Sequence, residues 1–180
     1  GGLGINYGEH AGEPNIKAYA QHAETHLADL GCKIIIEPGR SMVGNAGILV
    51  SKVEYVKEGQ VRTFLILDAA MNDLVRPSMY DAYHHIVTTE QKTNTATYDI
   101  VGPVCETGDT FAKNREIGQC EEGDLVAIMG AGAYGAVMSS HYNSRLNAPE
   151  VLVQGEEYSI IRKRLDFDSL LSMDTQPAWL

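Results

Sequence analysis

Basic residues are scarce in this chain. Lys and Arg number 14 against 24 Asp and Glu, for a formal net charge of −10 over 180 residues. Aromatic residues make up only 7%. Without a basic patch there is nothing to neutralise a phosphate backbone, which argues against nucleic acid and against anionic membrane surfaces as partners. No apolar run approaches the roughly 20 residues that a membrane-spanning helix needs. No charged-then-apolar signal segment opens the chain. Cysteine is limited to Cys32, Cys105 and Cys120. These form no metal-ligand spacing, and an odd number cannot pair completely, so a reducing cytoplasm is expected. The six histidines (His10, His22, His26, His84, His85, His141) supply no third ligand to the His22/His26 pair at i, i+4, so no metal site is expected. His84 and His85 read as polar strand-edge surface. The chain also lacks an initiating methionine. Gly1-Gly2-Leu3-Gly4-Ile5-Asn6-Tyr7 reads as the end of a strand running into a glycine loop, as in an internal or C-terminal piece of a longer polypeptide.

Apolar residues, at 44%, suffice for one sizeable core or for one domain plus part of another. Residues 14–30 read as a helix: Pro14 suits a first turn, Ile16, Tyr19, Ala20, Ala23, Leu27 and Leu30 recur at helical spacing, and Gly31 follows as a stop. Lys33-Ile34-Ile35-Ile36 is a β-branched run of the kind covered on both faces. Residues 1–45 therefore read as α/β, with the opening glycine loop and Glu37-Pro38-Gly39-Arg40 both at C-terminal ends of strands, the face where α/β barrels carry their sites. From 46 to 180 the texture is mostly antiparallel β. Strand-like runs at 48–57 and 61–67 make a hairpin through Glu58-Gly59-Gln60. Others fall at 84–89, 95–104 and 124–129, and a second hairpin pairs 150–153 with 157–163 through Gln154-Gly155-Glu156. A short helix is expected over 166–173. The second part is thus read as a β-sandwich or partly closed β-barrel. The long connections 72–80 and 130–145 are where function would sit.

Five runs carry chemistry. Gly102-Pro103-Val104-Cys105-Glu106-Thr107-Gly108-Asp109 sets a thiol beside a carboxylate at a turn: either a proton donor with an anchor for an ammonium, or a small buried Cys beside a solvated acid. In Glu37-Pro38-Gly39-Arg40, the Arg40 fork suits a phosphate, and Glu37 suits the protonated nitrogen of an electron-sink cofactor; a tight turn with a surface ion pair is the plain alternative. Gly1-Gly2 can cradle phosphate on backbone amides, or simply turn the chain. Arg76 and Tyr80 stand four apart, where a carboxylate fits between their donors, or on a surface loop. Gly130-Ala131-Gly132-Ala133-Tyr134-Gly135 fits G-x-G-x-x-G, which at face value suggests a nucleotide-dependent oxidoreductase. That pattern needs an acidic residue about twenty positions on, at the end of a strand. Here Glu150 precedes its strand, so a glycine loop presenting Tyr134 to a ligand, with a short helix behind it, is the better reading.

In this order, together with Asp68-Ala69-Ala70-Met71-Asn72-Asp73 before Arg76-Pro77, the runs closely resemble the diaminopimelate branch of the pyridoxal-phosphate-dependent ornithine/diaminopimelate/arginine decarboxylase family. The resemblance covers nearly the whole chain. It implies the last βα units of a pyridoxal-phosphate-binding (β/α)8 barrel over 1–45, then an alanine-racemase-like C-terminal β domain over 46–180. It implies decarboxylation of meso-2,6-diaminopimelate to L-lysine through a pyridoxal 5'-phosphate aldimine, in a homodimer with shared active sites. Gly1, Gly2, Gly39 and Arg40 would hold the cofactor phosphate region and Glu37 the pyridine nitrogen. Arg76, Tyr80 and Glu106 would recognise the far end of the substrate, with Arg40 shared between cofactor and substrate. Cys105 would protonate the carbon that loses CO2, and Tyr134 would contact both cofactor and substrate. A distal end carrying both ammonium and carboxylate calls for an acid and a base together, which Glu106 and Arg76 supply; an ornithine- or arginine-type enzyme would leave Arg76 unpaired.

One departure bears on activity. The family's Schiff-base lysine and ring-stacking histidine belong to earlier barrel strands. None of Lys17, Lys33, Lys52, Lys57, Lys92, Lys113 or Lys163 stands in a matching motif. This chain alone is therefore expected to be inactive, the longer parent being the enzyme. A non-catalytic dimerising domain remains as a further reading for the isolated chain.

Overall fold

The computed structural model describes residues 1–8, 12 and 14–179; His10 of the histidine set lies outside them. Helix α1 (Ile16–Leu27) starts where Asn15 Oδ1 accepts the Ala18 N–H at 2.9 Å, capping the first turn. It winds into a 3-10 turn over Ala28–Leu30 and stops at Gly31, whose φ of 63° suits a residue without Cβ. The expected strand over 33–36 does not form. Ile34, Ile35 and Ile36 are 45%, 76% and 50% exposed. A strand exists through its ladder, and no segment among the described residues pairs with this one. The short helix α2 (Arg40–Val43) follows directly.

The β part is built on hydrophobic alternation. Strands β1 (Leu49–Glu58) and β2 (Thr63–Leu67) form the expected hairpin, with Gly59 N–H bonded to Arg62 O at 2.9 Å across the turn. Helix α3 (Arg76–Tyr80) forms inside the 72–80 connection, with Pro77 in its first turn, where a missing N–H costs nothing. Strands β3 (Ile86–Thr88), β4 (Thr95–Val101), β5 (Thr110–Gly118) and β6 (Leu125–Ile128) complete a six-stranded sheet in the order β3-β6-β1-β2-β4-β5. All neighbours are antiparallel except β2 and β4. Val53, Leu65, Leu67, Ile100, Val126 and Ile128 fill the inner face and are fully buried. The sheet curls so that its outer strands approach each other: Arg115 Nη1 on β5 donates to the His84 carbonyl just before β3 at 2.9 Å. The result is a nearly closed, barrel-like domain, which leaves little exposed strand edge. Among the described residues no helix is long and apolar enough to cross a membrane.

Strand β5 was absent from the pattern reading. Phe111 and Ala112 are both buried, and Asn114 takes a φ of 48°, so the period of two is broken. The irregularity is bonded rather than loose: Asn114 N–H donates to Asp99 Oδ1 at 2.7 Å, and Arg62 holds the other oxygen at 2.9 Å. The second hairpin, β7 (Glu150–Gln154) with β8 (Glu157–Arg162), and helix α4 (Phe167–Leu171) fall where expected, the helix capped by Asp166.

Beyond β6 the chain enters the 130–135 glycine loop, which lies against α2 and the residues after it. Gly132 N–H bonds Gly44 O at 3.0 Å and Ala131 N–H bonds Gly47 O at 2.8 Å. A Cβ at Gly132 would overlap the Val43 carbonyl and sit 2.7 Å from Gly47 N. Both obstacles are backbone, so neither can swing aside. Gly132→Ala is expected to destabilise the chain by about 3 kcal/mol, read as a lower denaturant midpoint. An unchanged midpoint would show that the two segments separate freely.

Candidate active site

Three elements meet at the end of β6: the opening segment 1–8, α2, and α3 with the residues after it. Tyr7 sits at their junction. Arg76 Nη1 donates to Tyr7 Oη at 2.9 Å, and the guanidinium carbon stands 5.0 Å from the Tyr7 ring centroid. The Arg40 guanidinium carbon lies 5.8 Å from the same ring and 5.3 Å from that of Tyr134, distances at which a cation is drawn to a ring face. Tyr134 reaches this position from a left-handed backbone (φ 60°), with only a three-residue 3-10 turn, Ala136–Met138, behind it. Its hydroxyl is 3.9 Å from where a Cβ on Gly39 would stand.

The third partner is His84, which is completely buried. Its Nδ1 lies 2.8 Å from the Met129 carbonyl and its Nε2 lies 3.1 Å from Arg76 Nη1. A carbonyl only accepts and a guanidinium only donates, so the neutral tautomer protonated on Nδ1 satisfies both. Burial lowers the His84 pKa from its ordinary value, and the nearby Arg76 and Arg40 lower it further. The surface role read for His84 from sequence is therefore wrong: the ring is a core group facing two cations.

Arg76 is itself buried, at 6% exposure, which removes the surface-loop alternative. Neither Arg76 nor Arg40 pairs with a carboxylate among the described residues. A buried guanidinium without a counter-ion is costly, and an anion brought from outside offsets that cost. Next to this pair, the opening glycines adjoin the 37–40 turn. A Cβ on Gly1 would lie 3.4 Å from Glu37 O, Gly2 has a φ of 96°, and Tyr19 Oη of α1 donates to Gly1 O at 2.9 Å. The Glu37 carboxylate is exposed and takes no hydrogen bond or ion pair among the described residues. Gly1, Gly2, Glu37, Gly39, Arg40 and Tyr134 thus form one continuous rim, with Arg76 buried beneath it.

Cys105 and Glu106 lie on a separate loop. The 102–109 loop is organised by Asp109, whose Oδ1 accepts the Met71 N–H at 2.7 Å and whose Oδ2 accepts the Val104 N–H at 2.8 Å. Burial pushes the Asp109 carboxyl up, although both N–H bonds pull it down. A Cβ on Gly102 would overlap that carboxylate, so a larger residue there would have to displace it. Ser78 Oγ of α3 donates to the Gly108 carbonyl and ties the loop to the helix. Glu106 Oε1 accepts the Gly108 N–H at 3.0 Å. Held this way, Cys105 and Glu106 project from the surface, as does Tyr80 at 60% exposure. The reading of Cys105 as a small buried residue does not hold. Cys120 is the buried thiol, and burial raises its pKa to about 11. No hydrogen bond, ion pair or ring contact among the described residues joins Cys105 or Glu106 to Arg40 or Tyr134.

One alternative closes here. The strand before the 130–135 loop is antiparallel to both its neighbours, and no full helix follows, so the dinucleotide-binding unit suggested by G-x-G-x-x-G is absent. Among the described residues no group of His, Cys, Asp or Glu is arranged to hold a metal. Tyr7 and His84 escaped the sequence reading, since neither stands in a spaced motif; each matters through contacts with residues 69 and 45 positions away.

This barrel-like sheet with its arginine-lined rim belongs to a known family. The chain is a member of the pyridoxal-dependent decarboxylases, whose C-terminal sheet domain profile matches residues 18–132. It is 49% identical to a diaminopimelate decarboxylase of Zymomonas mobilis, over 100% of this chain and 43% of that protein. It is 54% identical to one of Neisseria meningitidis, over 91% and 39%. Among solved structures, diaminopimelate decarboxylase of M. jannaschii in complex with L-lysine superposes with a TM-score of 0.91 at 37% identity, over 99% of this chain and 42% of the other. The chain therefore spans about two fifths of the length of the relatives it matches.

Proposed function

We propose that this chain supplies the C-terminal part of a pyridoxal-phosphate-dependent decarboxylase that converts meso-2,6-diaminopimelate to L-lysine and CO2. The observation that carries the reading is the pair Arg40 and Arg76, two cations converging on Tyr7 without a carboxylate partner among the described residues. The family and the relatives' names point to the same substrate, and lysine bound to the M. jannaschii relative is its product.

The rim fits the cofactor. Open glycine backbone at Gly1 and Gly2, the turn at Gly39 and the Arg40 fork suit its phosphate. The exposed Glu37 carboxylate would suit its ring nitrogen, and Tyr134, beside Gly39 and Arg40, would contact the cofactor. When bound, pyridoxal phosphate supplies the sink for the electron pair left as the carboxylate departs. Glu37 keeps a proton at the ring nitrogen so that the sink remains strong. Arg76 and Tyr80 hold the distal carboxylate, and Glu106 holds the distal ammonium. Cys105 gives its Sγ proton to the carbon that has lost CO2. Residues 1–45 act as the end of the cofactor-binding barrel and 46–180 as the β domain. Cys105 and Glu106 act on the rim of a second chain in a homodimer. The reading for a cytoplasmic enzyme follows from the substrate and from the thiol that must stay reduced.

Substrate choice tests this. In the full-length enzyme, Arg76→Leu is expected to lower kcat/KM for diaminopimelate by about 100-fold or more, through KM, because one charge-assisted contact is lost and its buried partners are left unpaired. An unchanged KM would remove Arg76 from the substrate site.

A further inference from the structure

A guanidinium selects a carboxylate only if its fork points the same way each time. Arg76 is held by two acceptors on one nitrogen, Tyr7 Oη and His84 Nε2, both on Nη1. That arrangement leaves Nη2 and Nε for a ligand. Tyr7 is a partial constraint, since a phenol can rotate its hydroxyl. His84 is the stronger one: its ring is packed edge-on to Tyr7 at 5.2 Å and an interplanar angle of 75°, and its far nitrogen is fixed by Met129 O. We infer that His84 is a positioning residue for substrate recognition, a neutral imidazole whose Nε2 lone pair fixes the Arg76 fork. The inference rests on the proposed role of Arg76 as the distal-carboxylate anchor.

The surroundings of His84 suit an imidazole that must stay unprotonated. Arg76 faces it from α3, Tyr7 from the opening segment, Arg40 from the start of α2, and Arg115 of β5 donates to its backbone carbonyl. No carboxylate faces it among the described residues. Protonation at Nε2 would remove the acceptor and set a second cation against Arg76.

Two amide variants separate positioning from packing. His84→Asn can place an amide N–H near the Nδ1 position and keep the bond to Met129 O, but offers Arg76 no acceptor. His84→Gln can place its amide oxygen near the Nε2 position and keep the acceptor. In the full-length enzyme, His84→Asn is expected to raise KM for diaminopimelate and the dissociation constant for lysine about tenfold to a hundredfold, with kcat little changed, and His84→Gln to restore most of the loss. For unsubstituted enzyme, KM should climb as pH falls through the lowered His84 pKa, below the ordinary histidine range of about 6.5. That climb should vanish in His84→Gln. Nitrogen-15 spectra of histidine-labelled protein near neutral pH should show His84 protonated on Nδ1 alone. Equal losses in both variants, a lower melting temperature without a change in KM, or a proton on Nε2 would each overturn the inference. Arg76→Leu run alongside separates the two claims: an unchanged KM there sinks the substrate reading, whereas a raised KM there with normal His84→Asn sinks only the role of His84.

Discussion

Full-length enzyme carrying Cys105→Ala is expected to lose about 10²–10⁴-fold in kcat while KM for diaminopimelate changes little, the span a positioned general acid contributes. The structure makes this thiol available and specific. It stands exposed at the tip of a loop whose shape is set from within by Asp109 and from α3 by Ser78. Of the other two cysteines, Cys120 is buried, and Cys32 is exposed after the α1 turn, where its Sγ lies 3.3 Å from Leu30 O. Glu106, on the same loop, is proposed to act on binding, so its loss should appear in KM and not in kcat. Steady-state lysine production at saturating substrate checks the prediction. A variant with normal kcat would assign the proton to another donor.

Arg40→Leu and Cys105→Ala should each leave little activity alone, yet regain about a quarter of the unsubstituted level when the two chains are coexpressed in equal amounts. The reason lies in where the loop is anchored. Among the described residues its hydrogen bonds run within the loop and to Met71 and α3 of the same chain, and none runs to Arg40 or Tyr134. If each site takes its rim from one subunit and its thiol from the other, about half of the dimers are mixed, and each of those holds one intact site of two. Activity that stays at the level of the separate variants would place Arg40 and Cys105 in one site of one chain.

Local chemistry was legible wherever it was self-contained. The Glu58-Gly59-Gln60 and Gln154-Gly155-Glu156 turns marked both hairpins, and Gly31 marked the end of α1. The glycine loop around Tyr134 was legible as a loop, and Tyr134 takes a left-handed φ of 60° in it. What escaped depends on partners distant in sequence. The Ile34–Ile36 run has strand chemistry but no neighbour to bond, so it stays exposed. Strand β5 is written in charged residues because Asp99 and its bulge at Asn114 replace the usual alternation. His84 looked like surface because adjacent histidines ordinarily are; its burial follows from Met129 and Arg76, 45 and 8 residues away. The motifs put Arg40 and Arg76 36 residues apart, and only the fold shows that they share Tyr7.

The most direct test is a product assay on the full-length enzyme loaded with pyridoxal phosphate and offered diaminopimelate, ornithine or arginine separately. Lysine and CO2 in equal amounts from diaminopimelate, with little turnover of the other two, is the expected result. Preferential release of a diamine from ornithine or agmatine from arginine, or no lysine at all, would contradict it.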